Sequence, residues 1–377
     1  MNMINYGKQT LKEDDLNSVI KTLKSTLLTS GPTINKFEKE LIKKFGGKFC
    51  SAVNNGTSAL YILGKALGWK KGDKIITTPL SFLATANCIV NNNARPVFVD
   101  IENDTFTLDP EKLEDQLRKK HFKAVIAVDF AGHPCDWDSL KYLSKKYRFK
   151  LINDACHSMG SKLHNNQKYA TNYSDFVTQS YHPVKAITTG EGGSIFSKDK
   201  KIANRIAEIR NQSMRHTKKE GPWYYETHEA GLNFRITDFQ CALGISQLKK
   251  LDNFIKARRK IASIYLRELK NDYRFTLPME KKNCYHSYHI FPLQINFDKI
   301  KTKKKELFEK FKKKGINLQV HYIPIHLQPF YKKKFGYKIN QFSNAEEFYK
   351  REVSLPIYPE LKMDDLYKVI NLLLSIK

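Results

Sequence analysis

Lys185 lies in SYHPVKAITTGEGGS, residues 180–194, a setting unlike that of most other lysines in the chain. Those mostly fall in polar runs such as Lys312-Lys313-Lys314, where water is the natural partner. Lys185 instead precedes a turn-forming run, Thr188 to Gly193, and then Ser-Ile-Phe-Ser, which reads as a strand. A lysine in a tight, partly desolvated site loses its proton more readily than a solvated one, and the free amine attacks carbonyls. Asp154 closes the run Leu-Ile-Asn-Asp. A carboxylate at the exit of an apolar strand needs a partner. A protonated ring nitrogen would suit it, and so would backbone N–H groups. Asn55-Gly56-Thr57-Ser58-Ala59 reads as a strand-to-helix turn. Its N–H groups and hydroxyls could hold a phosphate or simply cap the helix. None of the three features is specific alone.

The elements around them supply a scaffold. Residues 13–29 carry Leu16, Ile20, Leu23 and Leu27 at helical spacing before Ser30-Gly31-Pro32 breaks the pattern, and Ile34, Phe37, Leu41 and Phe45 mark a second helix. KIITTPL, RPVFVDI, KAVIAVDFAG, FKLINDACHS and DFVTQSYH then read as strands, alternating through most of the first 200 residues with helical segments such as PEKLEDQLRKK. This alternation predicts an α/β domain with a mostly parallel sheet flanked by helices, and a site at the carboxyl ends of its strands. Thr237-x-x-Gln240 is a capping box that opens a helix through about Phe254. Beyond it, lysine clusters, HIFPLQINF and KKKELFEKFKKKG suggest a smaller C-terminal α+β domain. The expected division is 1–255 and 256–377.

Bulk properties exclude several classes. With 377 residues, 41% of them apolar, the chain is globular. No apolar run reaches the length of a membrane span, and the N-terminus lacks an apolar signal region, so the expectation is a cytoplasmic protein without a membrane partner. The formal charge of +27 invites a nucleic-acid partner, but the lysines are spread along the chain and form no basic stripe. The charge should still attract anions, diphosphate esters included. The six cysteines form no C-x-x-C pair and no zinc spacing, which predicts reduced thiols and no metal.

Taken together, the phosphate-binding turn, the strand-end aspartate and the downstream lysine match what pyridoxal 5'-phosphate needs: an anchored phosphate, a carboxylate on the pyridinium nitrogen, and a lysine on the aldehyde. With Gly-Leu-Asn-Phe-Arg at 231–235, they resemble the fold-type-I aminotransferases that act on nucleotide sugars, the DegT/DnrJ/EryC1/StrS type, over nearly the whole chain. The most specific piece is SYHPVKAITTGEGG, similar to the family's S-[FY]-H-x-x-K-x-[IL]-T-T-x-E-G-G. A cousin group carries histidine in place of the lysine and performs dehydration, so Lys185 favours transamination. ITTPLSFLATAN, VDFAGHP, GLNFRITDFQCALGISQLKKL, QVHYIPI and AEEFYKREVSLP are similar to the branch of the family that serves pseudaminic acid biosynthesis. That branch aminates C4 of a UDP-linked 4-keto-6-deoxy-N-acetyl-hexosamine. The runner-up is a C3 or C4 aminotransferase acting on a dTDP-, GDP- or D-configured UDP-sugar.

The resemblance implies roles for particular residues. Lys185 would hold the cofactor as a Schiff base and move protons, and Asp154 would pair with the pyridine nitrogen. Phe82 would stack on the ring, and His157 would lie near the ring oxygen. Gly56, Thr57, Ser58 and Ser180 would surround the phosphate. Asn233 would reach the phosphate of the neighbouring subunit, which implies a homodimer with shared active sites. Tyr6, the segment Thr26, Leu27, Leu28 and Thr29, and the segment Gln319, Val320, His321 and Tyr322 would line the sugar-nucleotide site. L-Glutamate would be the amino donor, and pyridoxamine phosphate the cofactor's alternate form. Gly56 stands where relatives often carry a small non-glycine residue. The 212–230 loop, with Trp223, Tyr224 and Tyr225, has no clear counterpart.

Overall fold

In the computed structural model, which describes residues 3–217 and 219–376, the predicted alternation forms one seven-stranded sheet. Its strands are β1 (Phe49–Val53), β2 (Lys74–Thr77), β3 (Arg95–Phe98), β4 (Ala124–Val128), β5 (Lys150–Asp154), β6 (Phe176–Ser180) and β7 (Gly193–Ser197). The spatial order is β1-β7-β6-β5-β4-β2-β3. Every neighbouring pair is parallel except those that β7 makes with β1 and β6. The parallel strands therefore end on a common edge.

Helices cover both faces, which is why strands such as Ala-Val-Ile-Ala-Val are apolar throughout. Successive residues face opposite sides. Ala124 and Ile126 join a core with Leu60, Leu63 and Ile89, while Val125 and Ala127 join another with Leu113, Trp137 and Leu140.

Asp129, just past β4, ties the strand ends together. Its buried carboxylate accepts hydrogen bonds from the Cys135 N–H (2.8 Å), Trp137 Nε1 (2.9 Å), Asn153 Nδ2 (3.0 Å), Ser158 Oγ (2.8 Å) and the Tyr169 hydroxyl (2.7 Å). Removing the carboxylate strands several buried donors at once. Asp129→Ala is expected to destabilise the fold by roughly 3 kcal/mol or more, read by urea denaturation. A midpoint equal to the parent's would show that this network is dispensable.

Two elements differ from expectation. The first helix spans Glu13–Leu23 and stops short of residue 29. The Ser25 hydroxyl donates to the carbonyls of Thr22 and Leu27, giving the backbone a local alternative to helix. The following segment is drawn onto another element. Asp238 N–H donates to the Leu28 carbonyl, and the Asp238 carboxylate accepts from Gly31 and Thr33 N–H. The long helix, opened by the Thr237–Gln240 capping box, continues well past Phe254, spanning Asp238–Leu269. Its first half, with Leu248, Leu251 and Ile255, packs into the α/β core. Its second half, with Ile261, Tyr265 and Leu269, packs into the C-terminal core.

Residue 255 thus lies within one helix shared by two cores. Ile4, at the other end of the chain, also packs into the C-terminal core, and its N–H donates to the Gly315 carbonyl (2.8 Å). That lobe is α+β, with a three-stranded antiparallel sheet of Phe275–Thr276, Phe291–Ile295 and Glu352–Leu355. All six cysteines are free. Among the described residues no helix is long and apolar enough to cross a membrane.

Candidate active site

The carboxyl ends of five strands open onto one cavity of about 580 Å³. Asn55, Gly56 and Thr57 follow β1, Ser81 and Phe82 follow β2, Val128 ends β4, Asp154 ends β5, and Ser180 ends β6. Lys185 follows β6 and lies on the same cavity. The C-terminal lobe contributes His289, Gln319, Val320, His321 and Tyr322, and Tyr6 joins from the N-terminal segment.

The turn that presents Lys185 is built by the residues around it. Lys185 N–H donates to the His182 carbonyl (2.8 Å), and Thr189 N–H donates to the Tyr181 carbonyl (3.0 Å). The Thr188 hydroxyl donates to Tyr181 O (3.1 Å) and accepts from Gly190 N–H (2.9 Å). Gly190 has φ +78°, a backbone region that glycine enters without strain. Ala186 and Ile187 are buried beneath the turn in the α/β core. Burial pulls the Lys185 ammonium pKa below its ordinary value, against the opposing pull of Cys156 and Asp154. A free amine is therefore available nearer neutral pH than on a surface lysine.

Asp154 is buried, and its carboxylate accepts from Thr85 Oγ1 (2.7 Å) and Cys156 N–H (3.3 Å). Ser81 Oγ lies 2.7 Å from Thr85 Oγ1 and extends the chain of hydroxyls. Among the described residues no cationic side chain makes an ion pair with Asp154. The carboxylate is oriented and borders the cavity without such a partner.

At the other end, the helix Gly56–Ala66 begins against Ser180. The Asn55 side chain caps it by accepting the Ser58 N–H (2.8 Å), so the Gly56 and Thr57 N–H groups remain without intrahelical acceptors. A Cβ at Gly56 would lie 2.8 Å from Ser180 Cβ, so a larger residue there requires the two elements to separate.

Burial favours the neutral form of the two histidines beside Lys185, His157 and His289. Burial pushes His157 and His289 well below the ordinary imidazole value, and the nearby Lys185 charge adds to it. Ala131 N–H donates to His157 Nδ1 (3.3 Å), which leaves the ring proton on Nε2, directed at the Tyr322 oxygen 3.1 Å away. The Tyr322 hydroxyl proton is then free to donate elsewhere. Phe82 is 56% exposed despite its size, with its ring 5.9 Å from that of Tyr322 at the cavity mouth.

Twelve residues expected at the site thus line one cavity: Tyr6, Gly56, Thr57, Phe82, Asp154, His157, Ser180, Lys185, Gln319, Val320, His321 and Tyr322. Six do not. Ser58 is buried behind the helix start. Thr26, Leu27, Leu28 and Thr29 lie on an exposed stretch and are not among the residues lining the cavity. Asn233 is exposed beside Asn211, and its Oδ1 accepts from Arg235 N–H (3.0 Å). Sequence reasoning missed Ser81, Thr85 and His289. Ser81 and Thr85 are spaced i, i+4 in an otherwise apolar segment, a signal that was available. His289 follows from tertiary packing alone.

The residues fit pyridoxal phosphate. A buried carboxylate has no salt-bridge partner among the described residues, a helix start offers N–H groups, and an amine of lowered pKa lies on the same cavity. When bound, the cofactor supplies an aldehyde that condenses with amines and a pyridinium ring that accepts electrons from the bond being broken. Fold and cavity together define a pyridoxal-phosphate-dependent transferase. Within that class, the chain belongs to the DegT/DnrJ/EryC1/StrS aminotransferase family, whose sequence profile matches residues 9–374.

Similar proteins span the whole chain. The UDP-4-amino-4,6-dideoxy-N-acetyl-beta-L-altrosamine transaminase of Campylobacter jejuni (strain 81-176) is 38% identical over 99% of this chain and 97% of its own length. The GDP-perosamine synthase of Escherichia coli O157:H7 is 30% identical over 92% of this chain and 91% of its own. The solved structure of Helicobacter pylori PseC, an aminotransferase involved in the biosynthesis of pseudoaminic acid, superposes with a TM-score of 0.91 at 31% identity, covering 99% of both chains.

Proposed function

We propose that this aminotransferase converts a UDP-linked 4-keto-6-deoxy-N-acetyl-hexosamine to UDP-4-amino-4,6-dideoxy-N-acetyl-β-L-altrosamine, with L-glutamate as donor, in a cytoplasmic step of pseudaminic acid biosynthesis. The observation that carries the reading is the gathering of Lys185, Asp154 and the Gln319–Tyr322 segment on one cavity. The names of the Campylobacter and Helicobacter relatives support the choice of sugar.

In this reading Lys185 would hold the cofactor aldehyde, and its amine would move the proton at the donor Cα. Asp154 would keep the ring nitrogen protonated, Thr57, Ser180 and the N–H groups at Gly56 would hold the phosphate, and Phe82 would pack on the ring. The exposed positions of Asn233 and Thr26–Thr29 suit contacts made across a homodimer. So does the exposed apolar face of Leu16, Ile20 and Leu23 on the first helix. A second reading, a C3 or C4 aminotransferase on another nucleotide sugar, is favoured by the similarity to GDP-perosamine synthase.

The test runs the sugar half-reaction backwards. Purified holoenzyme is mixed with a panel of amino-sugar nucleotides, and bleaching of the cofactor's visible band is followed. Bleaching by the L-altrosamine compound, and not by D-configured 4-amino sugars, is expected. Bleaching by a GDP- or dTDP-linked sugar alone would discard the proposed substrate in favour of the second reading.

A further inference from the structure

His321 reaches the cavity from a chain of buried polar groups that the reaction described so far does not use. Its Nδ1 lies 2.7 Å from Ser354 Oγ, and Ser354 Oγ makes a short hydrogen bond to Glu352 Oε1. Glu352 Oε2 accepts the backbone N–H of His321 (3.0 Å), which closes the loop. Backbone pairing fixes the alignment. Ser354 N–H donates to the Gln319 carbonyl (2.8 Å), and Glu352–Leu355 is a strand of the C-terminal sheet. Glu352 and Ser354 are fully buried and His321 nearly so. His321 Nε2 has no hydrogen-bond partner among the described residues, and it is not among the polar atoms sealed from solvent. It is the ring atom left to the cavity that His321 lines.

We propose that His321, Ser354 and Glu352 form a proton relay that opens on the active-site cavity, with Glu352 as its buried store. The balance is simple. A proton arriving from the cavity forms a bond at Nε2, and the Nδ1 proton leaves to Ser354 Oγ. The original hydroxyl proton of Ser354 passes to Glu352 Oε1. The imidazole stays neutral throughout and exchanges one tautomer for the other, and no electrons change hands. With Glu352 ionised, Ser354 donates to it and His321 presents a bare Nε2, a base. With Glu352 protonated, the hydrogen bonds reverse and His321 presents Nε2–H, a donor.

The surroundings favour this use. Burial raises the Glu352 carboxyl pKa above its ordinary range, partly offset by the Ser354 hydrogen bond and by Lys304, whose Nζ donates to Tyr349 O (2.6 Å). Burial holds His321 down at about 3, reinforced by the Lys185 charge. His321 also faces the rings of Tyr6 at 5.1 Å and Tyr322 at 4.8 Å, and it shares the cavity with His157 and His289, both held towards the neutral form by burial. A proton entering the chain therefore comes to rest on Glu352 and not on the ring. Condensation of an amine with a carbonyl sheds water through several proton transfers, and a group that alternates between base and acid serves them. Which molecule exchanges the proton rests on the proposed sugar reaction. The relay itself does not.

The test separates the two. Full-length protein carrying histidine labelled in its ring nitrogens is titrated by NMR with and without pyridoxal phosphate. The His321 signals are identified by their loss in His321→Gln. In the parent, the ring proton is expected on Nε2 while Glu352 is protonated and on Nδ1 above the raised carboxyl pKa. Glu352→Gln, whose amide can donate to Ser354 but cannot ionise, should hold the Nε2–H form at every pH. Ser354→Ala should uncouple the ring from pH as well. Both variants should lower turnover about tenfold or more and lose the corresponding limb of the pH–rate profile. A parent His321 whose tautomer ignores pH, or a tautomer change that persists in Glu352→Gln, overturns the relay. A purely structural role for Glu352 would move the melting temperature and leave the tautomer response in place. A different sugar would leave the NMR result unchanged.

Discussion

Lys185→Ala is expected to fold, to bind pyridoxal phosphate without a covalent link, and to lose turnover by on the order of 10⁴-fold or more. The size follows from two duties resting on one amine. In the proposed mechanism it would, as a nucleophile, hold the cofactor ready for exchange with the donor and, as a base, carry the proton at the reacting carbon. The fold should survive because the turn is held by Tyr181, Thr188, Thr189 and Gly190, with no contribution from the Lys185 side chain. Borohydride reduction should fix the cofactor to the parent chain and not to the variant, as read by mass spectrometry. Small primary amines in the buffer should restore part of the activity by entering the space the side chain leaves. Lys185→Arg should fail equally, since a guanidinium keeps its charge and is no nucleophile. A Lys185→Ala protein with ordinary turnover would end the assignment.

The second large effect is at Asp154, where activity and stability should move apart. Asp154→Asn keeps the side-chain shape and an oxygen for the Thr85 hydroxyl, and removes the charge. Activity should fall by roughly 10²–10⁴-fold if Asp154 meets the ring nitrogen as proposed, because a neutral amide would not hold that nitrogen protonated. Without cofactor, the variant should be as stable as the parent or more so. A buried carboxylate without a salt-bridge partner destabilises the empty protein, with the Lys185 amine offsetting only part of that cost, and the amide relieves it. The parent should therefore gain more melting temperature from added pyridoxal phosphate than the variant does. Equal gains in the two proteins would show that Asp154 does not meet the ring nitrogen and serves only the strand end.

Much of the scaffold was legible because it depends on local pattern. Apolar strands alternating with amphipathic helices specify a covered parallel sheet, and the capping box at Thr237 specifies where the long helix starts. Where that helix ends was not legible. Its apolar face continues past Phe254, and the two halves are told apart only by the cores they meet. The first helix failed in the opposite sense. Its periodicity reaches Leu27, but Asp238, more than 200 positions away, holds residues 28–33 in another conformation.

The site divides along the same line. By itself, the sequence determined the lysine in its Thr/Gly turn, the aspartate at a strand exit, the glycine-led helix start and the family they resemble. These are one-residue or one-turn features whose chemistry travels with local spacing. Only the tertiary structure decided that Thr85 orients Asp154, that Ala131 sets the tautomer of His157, and that Glu352 and Ser354 stand behind His321. Each of those pairings joins segments whose positions are set by how strands order in a sheet and how the second lobe seats on the first. Hydrogen bonds require atoms within about 3 Å, and only the folded chain brings such distant segments that close.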